Sequence, residues 1–387
     1  MKIEIAKHLT RRIECPFCHS KNLSEAIPPH ANIMMPVLPV CVDTPKEEDE
    51  FAPMNICLCE DCGLITLKDI VDPEVLYKIF HADGIGKLWE GQYNSLFELI
   101  KKYHKGGRLL EIGAGPGKVI ERLLKHYKTG VEVFDPLYFG PKENVVVHNG
   151  LFNSKTAKEL EGTFDTIVSC HTLEHFMDYN EYFINARKAL KDGGLLITTV
   201  PNQEYNFSKG FGNVINLEHT SVCTNLHWIQ LYLKHGFKIK EISFYIDYAI
   251  QIVGEKTNEP AMFEISDLKE YTRRMIDQFG QRIIERINKV KTYAKPDKEN
   301  WLFGASLIAH QLFAYGLDEK VFKGVLDNSP PKQNKRLYGT DLICRKPEDI
   351  IKSNSDNIRI FLNVVQFNQE VYEQIRGINK NIECVFL

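Results

Sequence analysis

Two groups of residues in this 387-residue chain have types and spacings that could do chemistry. The first is the run Leu110-Glu111-Ile112-Gly113-Ala114-Gly115-Pro116-Gly117. It follows a predicted strand and opens a predicted helix, where glycines let a ligand approach the backbone and a helix N-terminus favours negative groups. A dinucleotide fingerprint needs G-x-G-x-x-G, but Lys118 stands at the third glycine's place, so the spacing here is G-x-G-x-G. A carboxylate at Glu111 would repel a pyrophosphate and suits a ligand that carries an ammonium and a sulfonium. Asp135 lies 24 residues further on, at the end of the next strand, where a carboxylate can accept both ribose hydroxyls. Leu151 and Phe152, after the third strand, are added to the same candidate site.

The second group is cysteine. Of ten cysteines, four form the knuckles Cys15-Pro16-Phe17-Cys18 and Cys59-Glu60-Asp61-Cys62. Each knuckle is a tight turn that aims two thiolates at one point, and two of them complete a tetrahedral sulfur shell for Zn2+. Cys57 is near enough to compete, but Cys59-x2-Cys62-Gly63 has the knuckle spacing and a glycine that lets the turn close. No ligand position is left open, which makes the predicted metal structural. A redox role is disfavoured because a redox Cys-x-x-Cys opens a helix in a βαβ unit. The 40 residues between the knuckles form an excursion that carries Pro28, Pro29, Pro36 and Pro39 and the run Glu47-Glu48-Asp49-Glu50, which would repel phosphate.

The elements that must position these groups alternate along the chain. Strands are predicted at 64–67, 108–112, 130–134, 145–148, 164–169 and 195–200, and helices at 88–103, 118–126, 154–160, 180–190 and 225–234. Such alternation means a parallel sheet covered by helices on both faces. Two late strands, 237–245 and 248–253, are too close for a helical crossover and should pair antiparallel. A long polar helix over 264–293 stops before Pro296. A second βα series follows through 301–303, 321–327 and 358–365. The composition fits a packed soluble protein: 43% hydrophobic, 26% charged, net charge −3. A near-neutral chain has no global attraction for nucleic acid, and no apolar run spans a bilayer. The first residues lack a secretion signal's apolar core, so the expected address is cytoplasmic.

Glu111 before the glycine loop and Asp135 at the next strand end resemble the class I S-adenosylmethionine-dependent methyltransferases. Phe164–Val168 with Leu173-Glu174-His175, then Leu190-Lys191-Asp192-Gly193-Gly194-Leu195, resemble that family's fourth strand and the segments after it. The order of parts narrows the likeness: double knuckle, methyltransferase core, then Gly304-Ala305-Ser306, Asp327–Gln333 and Leu337-Tyr338-Gly339-Thr340. This order is similar to the sugar C-methyltransferase family, whose members act on nucleotide-linked keto-deoxysugars.

The resemblance implies an α/β chain in three parts. These are a zinc-binding domain (1–75), a doubly wound seven-stranded methyltransferase domain (76–255) and a Rossmann-like substrate-binding domain (256–387). It implies S-adenosylmethionine held by Glu111, Gly113, Gly115, Gly117 and Asp135, structural Zn2+ on Cys15, Cys18, Cys59 and Cys62, and a nucleotide-sugar substrate. It also implies a base at His219, within Glu218-His219-Thr220-Ser221, with Glu218 beside it. Methyl transfer needs an electron-rich acceptor, so a proton must leave a carbon next to a ketone, or a hydroxyl, and histidine titrates near neutrality. His175 is a second candidate because it follows the fourth strand on the substrate side of such sheets, whereas His171 reads as structural.

The family carries a tyrosine where Asn216 stands, and a Tyr- and Ser-rich stretch where this chain has Tyr77–Gly84, which leaves O- or N-methylation as the alternative. In the C-terminal part, Gly304-Ala305-Ser306 and Asp327 imitate a dinucleotide half-site without the full glycine pattern, so no NAD is expected. Lys332, Lys335 and Arg336 face either a diphosphate or solvent. The expected partners are a small-molecule substrate, neither nucleic acid nor membrane, and at most a second copy of the chain, as monomer or homodimer. A nicotinamide dehydrogenase, a zinc-dependent nucleic-acid binder and a non-catalytic S-adenosylmethionine-binding protein are the competing classes.

Overall fold

The computed structural model describes residues 4–76, 86–211, 214–259, 261, 268–353 and 357–387. The stretch 77–84 and the first turn expected of the long helix, 264–267, lie outside these residues.

The central sheet has seven strands: β1 (Leu109–Ile112), β2 (Val131–Phe134), β3 (Val146–His148), β4 (Phe164–Cys170), β5 (Leu190–Pro201), β6 (Phe237–Tyr245) and β7 (Ala249–Lys256). Their spatial order is β3-β2-β1-β4-β5-β7-β6. The first five run parallel, and β7 pairs antiparallel with both β5 and β6. Every residue of β1 and β2 is buried, as a parallel sheet with both faces covered requires. One face packs on α1 (Lys87–Tyr103) and α2 (Lys118–His126) through Leu96, Ile100, Val119 and Leu123. The other packs on α3 (Ser154–Glu159), α4 (Tyr179–Ala189) and α5 (Asn225–Lys234) through Ala157, Phe183, Trp228 and Leu231. α5 starts on a capping box in which Thr224 and His227 satisfy each other's backbone.

After α6 (Leu268–Tyr293) a second, all-parallel sheet forms from β8 (Glu299–Phe303), β9 (Gly324–Leu326), β10 (Cys344–Arg345), β11 (Ile358–Leu362) and β12 (Glu383–Phe386), in the order β10-β9-β8-β11-β12. Helices α7 (Leu307–Ala314) and α8 (Asn368–Ile378) belong to this unit.

The N-terminal segment touches both α/β units. Cys15, Phe17, Cys59 and Leu64 join the core beneath α4 and α5, and Asn180 Nδ2 donates to Phe17 O at 3.0 Å. The excursion between the knuckles instead enters a core made with α6, α7 and the second sheet, through Met35, Ala52, Met54, Ile276 and Leu337. There Cys41–Val42 pairs antiparallel with Arg336–Leu337.

Charges that read as solvated surface turn out to be joints. The Asp49 side chain is 1% exposed and grips Arg336 with both oxygens, at 2.5 and 2.8 Å, while accepting from Gly339 N at 2.7 Å. Lys335 faces Asp43 at 3.5 Å and Lys332 holds Asp327 at 2.9 Å. The basic trio expected to meet a diphosphate or solvent is thus engaged with carboxylates.

Candidate active site

Glu111 is the one charged residue in β1, and it is 2% exposed. Burial first, and then the nearby Asp135 carboxylate, push its carboxyl up to about 8. Its Oε2 has no hydrogen-bond partner among the described residues, and a buried orphan acceptor marks a place for a donor. The chain then turns through Gly113, Gly115 and Gly117, all at positive φ, where a side chain would be strained. A Cβ on Gly113 would sit 2.4 Å from Thr172 Cγ2. Asp135 Oδ2 accepts from Gly115 N at 2.8 Å and Oδ1 from Leu137 N at 2.6 Å, which ties the glycine loop to the end of β2. Phe152 is buried edge-on to Phe134, with ring centroids 5.6 Å apart, whereas Leu151 is 65% exposed. The residues expected to hold S-adenosylmethionine are therefore gathered at the C-terminal ends of β1 and β2, with Leu151 at the rim. An acidic orphan, an open glycine turn and an aromatic wall fit that cofactor's ammonium, backbone-hugging nucleoside and adenine ring.

The candidate acid–base residues converge from two elements 44 positions apart. His175 lies in the short 3-10 turn after β4, and His219 in the loop before α5. Their Nε2 atoms are 3.3 Å apart, with ring centroids at 4.5 Å. Asn216, which stands where the family tyrosine would be, accepts from both Glu218 N at 2.8 Å and His219 N at 3.0 Å and so shapes this loop. Glu218 and His219 border a crevice of about 270 Å³ that also takes in Val37, Val40, Ser306 and Lys332. All three parts of the chain thus contribute to one cleft.

Glu174 carried no role in the sequence reading, and no spacing rule singles it out. It is 1% exposed, lies with His175 and His219 in one cluster, and its Oε1 contacts His171 Nδ1 at 3.2 Å. Burial pushes its carboxyl up, but the His171 hydrogen bond and the imidazoles of His171, His175 and His219 hold it below the ordinary glutamate range. His171 adopts positive φ, and its Nε2 meets the Gln92 side-chain amide, which agrees with a structural part.

The four knuckle sulfurs lie within 4.8 Å of one another, with Cys15–Cys62 and Cys18–Cys59 each at 3.6 Å. Sulfurs about 2.3 Å from a tetrahedral zinc would be about 3.8 Å apart, so the shell fits Zn2+. Cys57 is buried outside this shell, its thiol pushed up to about 11 chiefly by burial. Buried His227 contacts Cys62 O through Nε2 at 3.1 Å, linking the second knuckle to α5.

The C-terminal unit repeats the turn device of the core. Asp327 Oδ2 accepts from Ala305 N at 3.0 Å and Oδ1 from Ser329 N at 2.9 Å, as Asp135 does for Gly115 and Leu137. Here, however, Lys332 Nζ bonds both Asp327 and Ala305 O.

A β3-β2-β1-β4-β5-β7-β6 sheet with a glycine turn after β1 and a carboxylate after β2 defines a methyl-transfer domain of class I. Residues 88–242 match the family model described as a methyltransferase domain, and this part of the chain is a methyltransferase domain. Solved structures with similarity include an S-adenosylmethionine-dependent methyltransferase from Mesorhizobium loti (13% identity, 43% of this chain and 98% of that one, TM-score 0.37). The PH0226 protein from Pyrococcus horikoshii is another (19%, 47% and 98%, TM-score 0.37), and geranyl diphosphate methyltransferase a third (10%, 43% and 85%, TM-score 0.35). The domain assignment rests on the family match and the strand order. No curated protein matches the chain. Among the described residues no helix is long and apolar enough to cross a membrane.

Proposed function

We propose that the chain is a sugar C-methyltransferase that moves a methyl group from S-adenosylmethionine to a nucleotide-linked keto-deoxysugar. The cofactor supplies an activated methyl group, so the protein's own contribution is positioning and proton removal. Glu111 faces the cofactor's cationic end, the turn through Gly113, Gly115 and Gly117 admits it to the backbone, and Asp135 faces its ribose. Phe152 and Leu151 flank the adenine.

The acceptor lies in the crevice between the 216–219 loop, the excursion and the start of α7. There His219 removes the proton from the carbon next to the ketone, and His175 lies within reach to share it. Glu218 borders the same crevice. The domain division at 75 and 255 belongs to this reading, with Zn2+ on the four cysteines as the staple of the first unit. The observation that carries the reading is the meeting of two imidazoles, one of which, His219, borders a cleft to which all three parts of the chain contribute.

Transfer to oxygen is the second reading, favoured by Asn216 in place of a tyrosine that would steady a developing enolate. The deciding experiment incubates zinc-replete protein with labelled methyl donor and a panel of nucleotide sugars, followed by mass spectrometry. Label on a sugar carbon supports the first reading and label on a hydroxyl the second. Uptake of the donor with no transfer to any sugar refutes both. His219→Ala should abolish turnover while leaving cofactor binding intact.

A further inference from the structure

We propose that Glu174, His175 and His219 form a second metal site, taking Zn2+ or a like divalent ion, and that filling it silences the enzyme. The geometry is the first argument. Two nitrogens each about 2.0–2.1 Å from a tetrahedral zinc are about 3.4 Å apart, and the two Nε2 atoms stand 3.3 Å apart. One ring nitrogen of each histidine and a Glu174 carboxylate oxygen all lie within 4.8 Å of one another, so small side-chain rotations bring three ligands onto one centre.

Glu174 supplies the second, independent argument. Its side chain is 1% exposed, and Oε2 has no hydrogen-bond partner among the described residues. Oε1 is held by His171 Nδ1, which leaves Oε2 as the oxygen on offer. A ligating carboxylate fixed through its other oxygen is the usual outer-shell arrangement of metal sites. Two imidazoles and one carboxylate are the ligand set of open zinc sites, which keep a position for water or another ligand. His219 borders the crevice, so an ion can reach the cluster from solvent.

The inhibitory half of the inference rests on the reading of His219 as the base. A metal on Nε2 occupies the lone pair that would take the acceptor's proton, and metal and proton therefore compete for one atom.

The test uses full-length protein carrying one zinc per chain on the cysteines. Zn2+ is titrated in, and bound metal and turnover are measured on the same samples. Co2+ serves as a parallel probe, because thiolate sites show charge-transfer bands that nitrogen–oxygen sites lack. A second equivalent should bind with a nitrogen–oxygen spectrum, and turnover should fall at least tenfold as it fills. Glu174→Gln and His175→Ala, checked for folding by uptake of the methyl donor, should hold one equivalent only.

Wild type that stops at one equivalent, or a Glu174→Gln variant that still binds two, overturns the site. A second ion that binds while turnover holds or rises overturns the inhibition and leaves the stoichiometry standing. Full turnover in His219→Ala overturns the base reading alone, since the metal count and the Co2+ spectrum are read without activity.

Discussion

Replacing Glu111 by glutamine tests the cofactor site through a proton. In the ligand-free protein Glu111 keeps its proton up to about pH 8, whereas an ordinary glutamate loses it near 4.5. Between those values the native state binds a proton that the unfolded chain has released. The stabilising contribution is full below about 4.5 and is lost as pH rises through 8. The ligand-free fold therefore weakens by up to about 1.4 kcal/mol per pH unit in that window, on the order of 5 kcal/mol in all.

A cation seated at Oε2 reverses this by favouring the carboxylate. Donor affinity should then climb with pH below about 8, by up to about tenfold per unit, and binding at pH 7 should release most of a proton. Calorimetry with S-adenosylmethionine between pH 6 and 7.5, in buffers of different ionisation enthalpy, counts that proton. Thermal melts of the ligand-free protein follow the stability slope. Glu111→Gln should flatten both pH dependences. If wild type releases no proton, or wild type and variant keep the same slopes, the placement of the cofactor's cationic end against Glu111 is wrong.

Three further outcomes are expected. Asn216→Ala removes the acceptor that fixes two backbone N–H groups of the base loop, and turnover should drop about tenfold or more, roughly 1.4 kcal/mol of barrier. Donor affinity measured on the same sample should stay unchanged; a parallel loss of both would contradict the assigned role. Asp49→Ala leaves the half-buried Arg336 without its carboxylate but still donating to Thr44 O and Thr340 O, which should cost about 2–3 kcal/mol in denaturant unfolding; a loss below about 1 kcal/mol would contradict the joint. If the four cysteines hold zinc as proposed, chelating it withdraws binding free energy on the order of 10 kcal/mol. Limited proteolysis should then cut within 15–62, and an unaltered digest would speak against a structural metal.

Much of the core was legible in the sequence because its signals are local. The helices Lys118–His126 and Asn225–Lys234 and the strand Phe237–Tyr245 were read to the residue. They start or stop at glycines, caps and breaks in the apolar period. The pattern predicts β5 from Leu195; in the fold the strand runs from Leu190 through Asp192-Gly193-Gly194.

What escaped was non-local. Cys41–Val42 pairs with a strand nearly 300 residues away, and no periodicity reports a partner at that distance. The acidic run containing Asp49 has the composition of a solvated face, and only the fold supplies Arg336 to bury it. Of the site, the glycine loop, Glu111, Asp135 and the knuckles carry spacing signals, His175 follows from its place after the fourth strand, and His219 from resemblance. Glu174 became visible only when β4 and the loop before α5 were brought together.

The seam between Cys41–Val42 and Arg336–Leu337 bears on how the chain matures during translation. Met35, Ala52 and Met54 leave the ribosome early, yet their burial depends on partners that include Leu337. Until residues 268–344 are made, that apolar surface lacks part of its native cover. The methyltransferase core, whose strands all lie before residue 257, can meanwhile assemble beside it. This early segment thus settles late, and truncations that spare Glu111, the glycine turn and Asp135 but stop short of the seam should leave a sticky, chaperone-dependent product.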